Sequence, residues 1–262
     1  MPPPGLLGVR ELYRYRDLIS ALVARDLKVR YRRSAIGFLW TMLHPLITML
    51  VLSFVFSHLF RPNLPSFSVY ALAGIVLWNF FSQAIVASMN SLRGNAVLLT
   101  KLPVPKAVFP VAIVCSALVN LLFAMVPLFL IMILTGHPLR PSLAFVPVAV
   151  VVAACFTLGC GLLLAPLAAF FTDTVELVTI VLTILFYLTP VFYPLEIMPP
   201  DLHWVVGVNP VYWVLDIFRL PIYDGVLPVF RTFVLGTGIA LAFLGVGAVV
   251  FRSTSDRIAF YV

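Results

Sequence analysis

Residues 21–60 read ALVARDLKVRYRRSAIGFLW and then TMLHPLITMLVLSFVFSHLF. Eight Lys or Arg residues precede residue 36, and a charge-free run of 25 residues, 36–60, follows. At about 1.5 Å per residue such a run crosses a roughly 30 Å hydrocarbon core with some tilt. A basic cluster directly before it predicts that the leading end stays on the cytoplasmic side. The competing reading is the central helix of a soluble protein, but such helices rarely run so long.

Composition extends that reading to the whole chain. Of 262 residues, 62% are hydrophobic and 10% charged, and the mean hydropathy is +1.10. A soluble chain of this length needs far more surface charge, so the sequence specifies an all-α integral membrane protein. The formal charge of +7 does not indicate nucleic acid, because the basic residues sit beside apolar segments rather than on a separate stripe.

Five further spans are expected, at about 69–91, 108–134, 143–169, 177–193 and 228–251. Pro45, Pro127, Pro147 and Pro166 offer bends. His44, beside Pro45, reads as a packing or pore-facing polar group ahead of a catalyst. Gly159 and Gly161 permit bends or close helix approach, while Gly236, Gly238, Gly245 and Gly247 form a face that suits either a packing seam or a dimer contact. Six spans put 1–35, 92–107, 170–176 and 252–262 on one side, with 8, 3, 0 and 2 basic residues of the total 17. The other side keeps Arg61, Arg140, Arg219 and Arg231. That bias predicts both termini in the cytoplasm.

Before the first span, 10–31 reads as an amphipathic helix. Leu12, Tyr15, Ile19 and Leu22 recur at helical spacing against a more polar stripe of Arg14, Asp17, Arg25, Lys28 and Arg32. A helix in the interface plane has this pattern, and a basic tail that only orients the first span is the plainer alternative. The segment 194–227 is too apolar for a free loop and too interrupted for a span. Two short helices broken at Asn209-Pro210 fit it, dipping into the outer interface. Trp204, Tyr212, Trp213 and Tyr223 suit the headgroup level, either as anchors or as flat faces along a sugar path.

Enzymatic signatures are missing. The sequence has no phosphate loop, HExxH, GxSxG or dinucleotide fingerprint. Cys115, Cys155 and Cys160 lie in apolar runs without metal-site spacing and read as buried thiols. The N-terminal residues lack a secretory-leader pattern. Asp173 and Glu176 fit a capping box at the start of span five or a contact with a basic partner surface, ahead of a catalytic pair. Nothing therefore marks a catalytic, cofactor-binding or metal-binding residue. Buried ionisable groups are too few to suggest proton or sodium coupling, so the driving energy is expected from another chain.

Three stretches carry a family resemblance: LVARDLKVRYRRSAIGFLWTMLHPL (22–46), LLTKLPVPKAVFP (98–110) and FYLTPVFYPLEIMP (186–199). A fourth is GVNPVYWVLDIFR (207–219). With these motifs the chain resembles the ABC-2 permeases that export polysaccharides such as O-antigen, capsular polymer and teichoic acid, over essentially its whole length. The resemblance implies an N-terminal unit, 1–35, with an interface helix, followed by one transmembrane domain, 36–262. It implies two permease copies paired with two ATPase chains that bind ATP and Mg, and no cofactor in this chain. The cargo implied is a lipid-linked polysaccharide, with an exporter of a small amphiphile or drug as the alternative. Membrane lipids are further partners, and nucleic acid is not one.

Residue roles follow from the same resemblance. Arg25, Asp26, Lys28, Lys101 and Lys106 would couple to the ATPase, the last two flanking a short coupling helix within 94–106. Phe38, Trp40, Phe186, Tyr187, Phe192 and Tyr193 would line the glycan path. The re-entrant helices 201–208 and 211–220, with Trp204, Asn209, Pro210, Tyr212 and Trp213, would form an outer gate. Arg30, Arg32 and Arg33 would meet a lipid pyrophosphate, although membrane orientation alone explains them equally well. Two departures stand out: Phe171-Thr172-Asp173 where relatives often place an Arg-Asp pair, and KLPVPKAVFP where they tend to carry a Tyr-Phe-Pro-Arg run.

Overall fold

The computed structural model describes residues 13–31, 39–59, 66–101 and 104–258. Ten helices are named here: α1 Arg16–Tyr31, α2 Leu39–Leu59, α3 Phe67–Gly94, α4 Ala96–Lys101 and α5 Val108–Leu134. Then follow α6 Val146–Phe170, α7 Thr174–Leu188, α8 His203–Val208, α9 Pro210–Ile222 and α10 Phe230–Ile258. Short 3-10 turns precede α6 and α8, and no strand occurs among the described residues.

Four stretches are long and apolar enough to cross a membrane: Phe67–Gly94, Val108–Leu134, Pro141–Phe170 and Phe230–Ser255. The bent pair Pro200–Val208 and Pro210–Ile222 raises this to five if taken as one broken span. Of the two other segments that the sequence suggests, 36–60 lies partly outside the described residues. The segment expected at 177–193 is helical only from Thr174 to Leu188. Thr189 precedes Pro190 and is extended, with φ −90° and ψ 133°, the conformation that a following proline imposes. Fifteen residues rise only about 22 Å, short of a full hydrocarbon core.

The bundle is organised around α3 and α6. Helix α3 packs on α5, α6 and α2, and α6 makes its most extensive contact with α10. The α6–α10 seam depends on glycine. A Cβ at Gly247 would lie 2.2 Å from the Gly159 carbonyl oxygen, and one at Gly159 would lie 2.4 Å from the Leu244 nitrogen. Gly236 faces α9 in the same way, 2.4 Å from Ile217 Cδ1, whereas Gly238 and Gly245 meet nothing within 4 Å. Part of the glycine face of the last helix is thus an internal packing seam.

Helix α1 turns its apolar stripe toward protein. Leu22 is buried in a cluster with Leu92, Phe109, Leu162 and Phe251, and Tyr15, Leu18 and Ile19 pack against it. The stripe covers the adjoining ends of α3, α5, α6 and α10. At the start of α7 the anticipated cap is only partly realised. Asp173 is the N-cap residue but makes no side-chain cap hydrogen bond, because its αR backbone, φ −69° and ψ −14°, differs from the extended form that aims a cap side chain at the first turn.

Candidate functional site

Three groups of residues form the candidate site, two at one end of α3 and one at the other. The first is aromatic and lies where α7 ends. The ring centroid of Phe186 is 5.3 Å from those of Tyr187 and Phe192, and Phe192 is 5.4 Å from Tyr193. Trp78 of α3 closes the cluster at 5.4 Å from Phe186. Tyr193 Oη donates to the Tyr187 carbonyl at 2.8 Å, folding the chain back over its own helix end. Tyr187 remains exposed. Four expected path residues therefore share one surface. Phe38 lies outside the described residues, as does the side chain of Trp40.

The second group holds the bent pair α8–α9 against the bundle. The helices meet at 93° around Asn209, whose side chain performs two tasks. Its Oδ1 accepts from the Val211 N–H at 3.0 Å, capping α9, with Pro210 at the first helical position where no N–H is required. Its Nδ2 donates to Thr189 Oγ1 at 2.7 Å, tying the bend to the end of α7. Trp213 Nε1 donates to the Gly207 carbonyl at 2.9 Å and its ring contacts Tyr212 at 5.5 Å. Trp204 is exposed.

Arg219, given no role by the sequence reading, is the strongest link in this group. It is buried, with 6% exposure. Nη1 donates to Tyr70 Oη at 2.7 Å and to the Pro190 carbonyl at 2.8 Å, while Nη2 donates to the Val191 carbonyl at 2.7 Å. The guanidinium also sits 4.0 Å over the Tyr70 ring, and Tyr70 Oη in turn donates a hydrogen bond to the Tyr193 carbonyl at 3.0 Å. A buried cation is tolerated only where dipoles or π faces replace water, and here three oxygens and one ring do so. Gly74 makes room, since a Cβ there would lie 2.1 Å from the Val191 oxygen and 2.5 Å from Arg219 Nη2. Nearby, Arg140 donates to the Asp224 carbonyl at 2.7 Å and Ser142 to that of Pro221 at 2.9 Å. Burial pushes the Asp224 carboxyl above its ordinary value despite the pull of Arg219.

The third group is polar and lies at the opposite end of α3. Arg25 reaches Asp26 Oδ1 at 2.9 Å and donates to Asn95 Oδ1 at 2.8 Å. Asn95 follows α3 as its C-cap, donates to the Ser91 carbonyl at 2.8 Å, and leads into the six-residue α4. Lys106 donates to the Ser255 carbonyl and Arg93 to that of Ala169 at 3.2 Å. Two of the expected coupling residues, Arg25 and Asp26, thus meet beside α4, Lys28 is exposed, and Lys106 joins α10 instead. Arg32 and Arg33 lie outside the described residues, as do the side chains of Arg30 and Lys101. Among the described residues no cluster of three His, Cys, Asp or Glu is placed to hold a metal ion.

The segments 186–199 and 207–219 are thus bonded to one another through Arg219 and Asn209. A family model described as ABC-2 type transporter matches residues 17–223, which spans both segments. The chain belongs to the ABC-2 type transporter family. This ABC-2 transporter is 31% identical over 254 residues to "O-antigen export system permease protein RfbA" of Myxococcus xanthus, covering 96% of this chain and 97% of the relative. It is 28% identical over 214 residues to a protein of the same description from Klebsiella pneumoniae, covering 80% and 82%. Against "Polysialic acid transport protein KpsM" of Escherichia coli the identity is 23% over 215 residues, covering 79% and 81%. With its apolar helices, this ABC-2 transporter is a multi-pass membrane protein.

Proposed function

We propose that this chain is the membrane subunit of an ATP-driven exporter that carries a lipid-linked polysaccharide from the cytoplasmic to the outer face of the inner membrane. The end-to-end match with a relative described as an O-antigen export permease carries the reading and favours a polysaccharide over a small amphiphile. The aromatic cluster of Phe186, Tyr187, Phe192 and Tyr193 supports it, because rings offer sugars flat apolar faces.

In this reading two copies form the path and two separate ATPase chains bind ATP and Mg. Six spans leave both termini in the cytoplasm. The body from residue 36 onward acts as one transmembrane domain, with α8–α9 as its outer closure. ATPase movement enters at α4 and at Arg25 and Asp26, and the Arg25–Asn95 bond passes it into α3. Arg30, Arg32 and Arg33 meet the pyrophosphate of the carrier lipid.

Depletion of the protein, followed by measurement of lipid-linked glycan on each membrane face, tests the proposal. Polymer accumulating on the cytoplasmic face, with an ATPase co-purifying from the same cells, is the expected result. An unchanged glycan distribution overturns it.

A further inference from the structure

A second feature lies apart from the aromatic cluster. A cavity of about 840 Å3 opens between α1, α2, α3 and α5, within the roughly 300–1,000 Å3 of small-molecule sites. Trp78 packs against Phe186 on α7, while Asn79, one residue on and about 100° round the helix, lines the cavity. The two surfaces belong to different faces of α3.

The cavity walls are unusual for spans of this hydropathy. Asn79 and Gln83 from α3 share them with Ser116 and Asn120 from α5, each pair four residues apart and so on one helical stripe. Among the described residues, Asn79 Nδ2 is buried with no hydrogen-bond partner, a costly state for a carboxamide away from water. Ser116 donates to its own helix, to the Ala112 carbonyl at 2.9 Å, which leaves acceptor capacity on its oxygen. His44 of α2 lines another side. At the α1 rim Arg25 is already neutralised by Asp26 at 2.9 Å.

This distribution selects a ligand chemistry. Carboxamides donate and accept at once, matching hydroxyls, which do the same. A free anion at the rim would meet Asp26, and a cation would meet Arg25. The remaining walls, including Phe80 and Ala117, are apolar and suit hydrocarbon. We propose that this cavity binds the uncharged, hydroxyl-rich sugar head of a membrane amphiphile, with Asn79, Gln83, Ser116 and Asn120 as its hydrogen-bonding walls. The site goes beyond the export reading and does not depend on it: binding is read on the purified chain, export in cells, so each can fail alone.

The full-length protein in phosphatidylcholine nanodiscs is labelled with a diazirine-bearing alkyl glucoside, and cross-linked peptides are mapped by mass spectrometry. The expected result is label on 76–87 and 113–124 that the same alkyl diazirine without sugar does not reproduce. Asn79→Leu should lower that labelling about tenfold, the effect of one or two lost hydrogen bonds, and Ala117→Phe, which fills the space, should lower it at least as far. A monodisperse elution profile serves as the folding check. Unlabelled glucosyl diacylglycerol and a polyprenyl glucoside, both uncharged, are added as competitors. Displacement by either supports the site and names the tail that carries the sugar, and displacement by neither overturns it. Equal labelling by the sugar-free probe on the wild-type chain also overturns it, as does label confined to the exposed α7 face at Ile180 and Ile184.

Discussion

Arg219 spends its donors on main-chain carbonyls and a phenol, so its contribution lies in what its removal would leave behind. In Arg219→Met the Pro190 and Val191 carbonyls stay buried without that donor, a loss of about 2–6 kcal/mol at roughly 1–3 per orphaned group. A lower Tm in detergent, with α8–α9 becoming sensitive to protease, is the expected outcome; an unchanged Tm would show that water replaces the guanidinium. Arg219→Lys should recover only part of the loss, since one ammonium does not reproduce a planar fork. Gly74→Ala tests the same contact from the other side. Its Cβ would meet a backbone oxygen at 2.1 Å, so a loss of about 1–3 kcal/mol is expected. The sequence announced this residue faintly: Arg219 stands three positions after Asp216 in an otherwise apolar helix, and an ionisable group at such a place is itself a signal. Its partners, however, come from Tyr70, Pro190 and Val191, up to 149 residues away, and no local pattern encodes that pairing.

Helices separate into those held by small residues and those held by polar locks. The α6–α10 seam is of the first kind, and its glycines differ sharply in what surrounds them. Gly247→Ala should destabilise the fold by about 1–3 kcal/mol, because a methyl would strike the Gly159 carbonyl at 2.2 Å. Gly245→Ala, two residues away with nothing within 4 Å, should be neutral or stabilising by up to about 1 kcal/mol. Paired thermal melts of the two variants decide the matter; equal shifts would remove the seam. Hydropathy made the long helices readable almost to their ends: α5 spans Val108–Leu134, as its apolar run predicts. It could not place the end of α7, because 177–193 is apolar throughout and only the Thr189-Pro190 step stops the helix. Nor could it tell whether the stripe of α1 faces lipid or protein, since both reward the same side chains.

Across the whole molecule, the two ends of α3 are bonded to different machinery. Near Gly94 the Asn95 carboxamide links α1 to the start of α4, and near Phe67 the Tyr70 hydroxyl links α9 to the end of α7. If motion passes along this helix, Asn95→Leu should leave ATPase binding intact while lowering transport-coupled ATP hydrolysis severalfold. The complex reconstituted in liposomes reports both, and wild-type coupling would place the route elsewhere. The candidate site was legible in outline, since the quoted motifs hold the aromatic cluster and the Asn209 bend. The amide-lined cavity was not, because Asn79 and Asn120 sit singly in apolar runs and gain meaning only when two distant helices face each other. The bend at Asn209 is held twice. It is fastened to Thr189 on one side and, through Arg219, to Pro190 and Val191 on the other. A piece anchored twice to the same three-residue strip cannot swing like a flap; it travels as a stopper on the tip of α7, and whatever tilts that short helix lifts it.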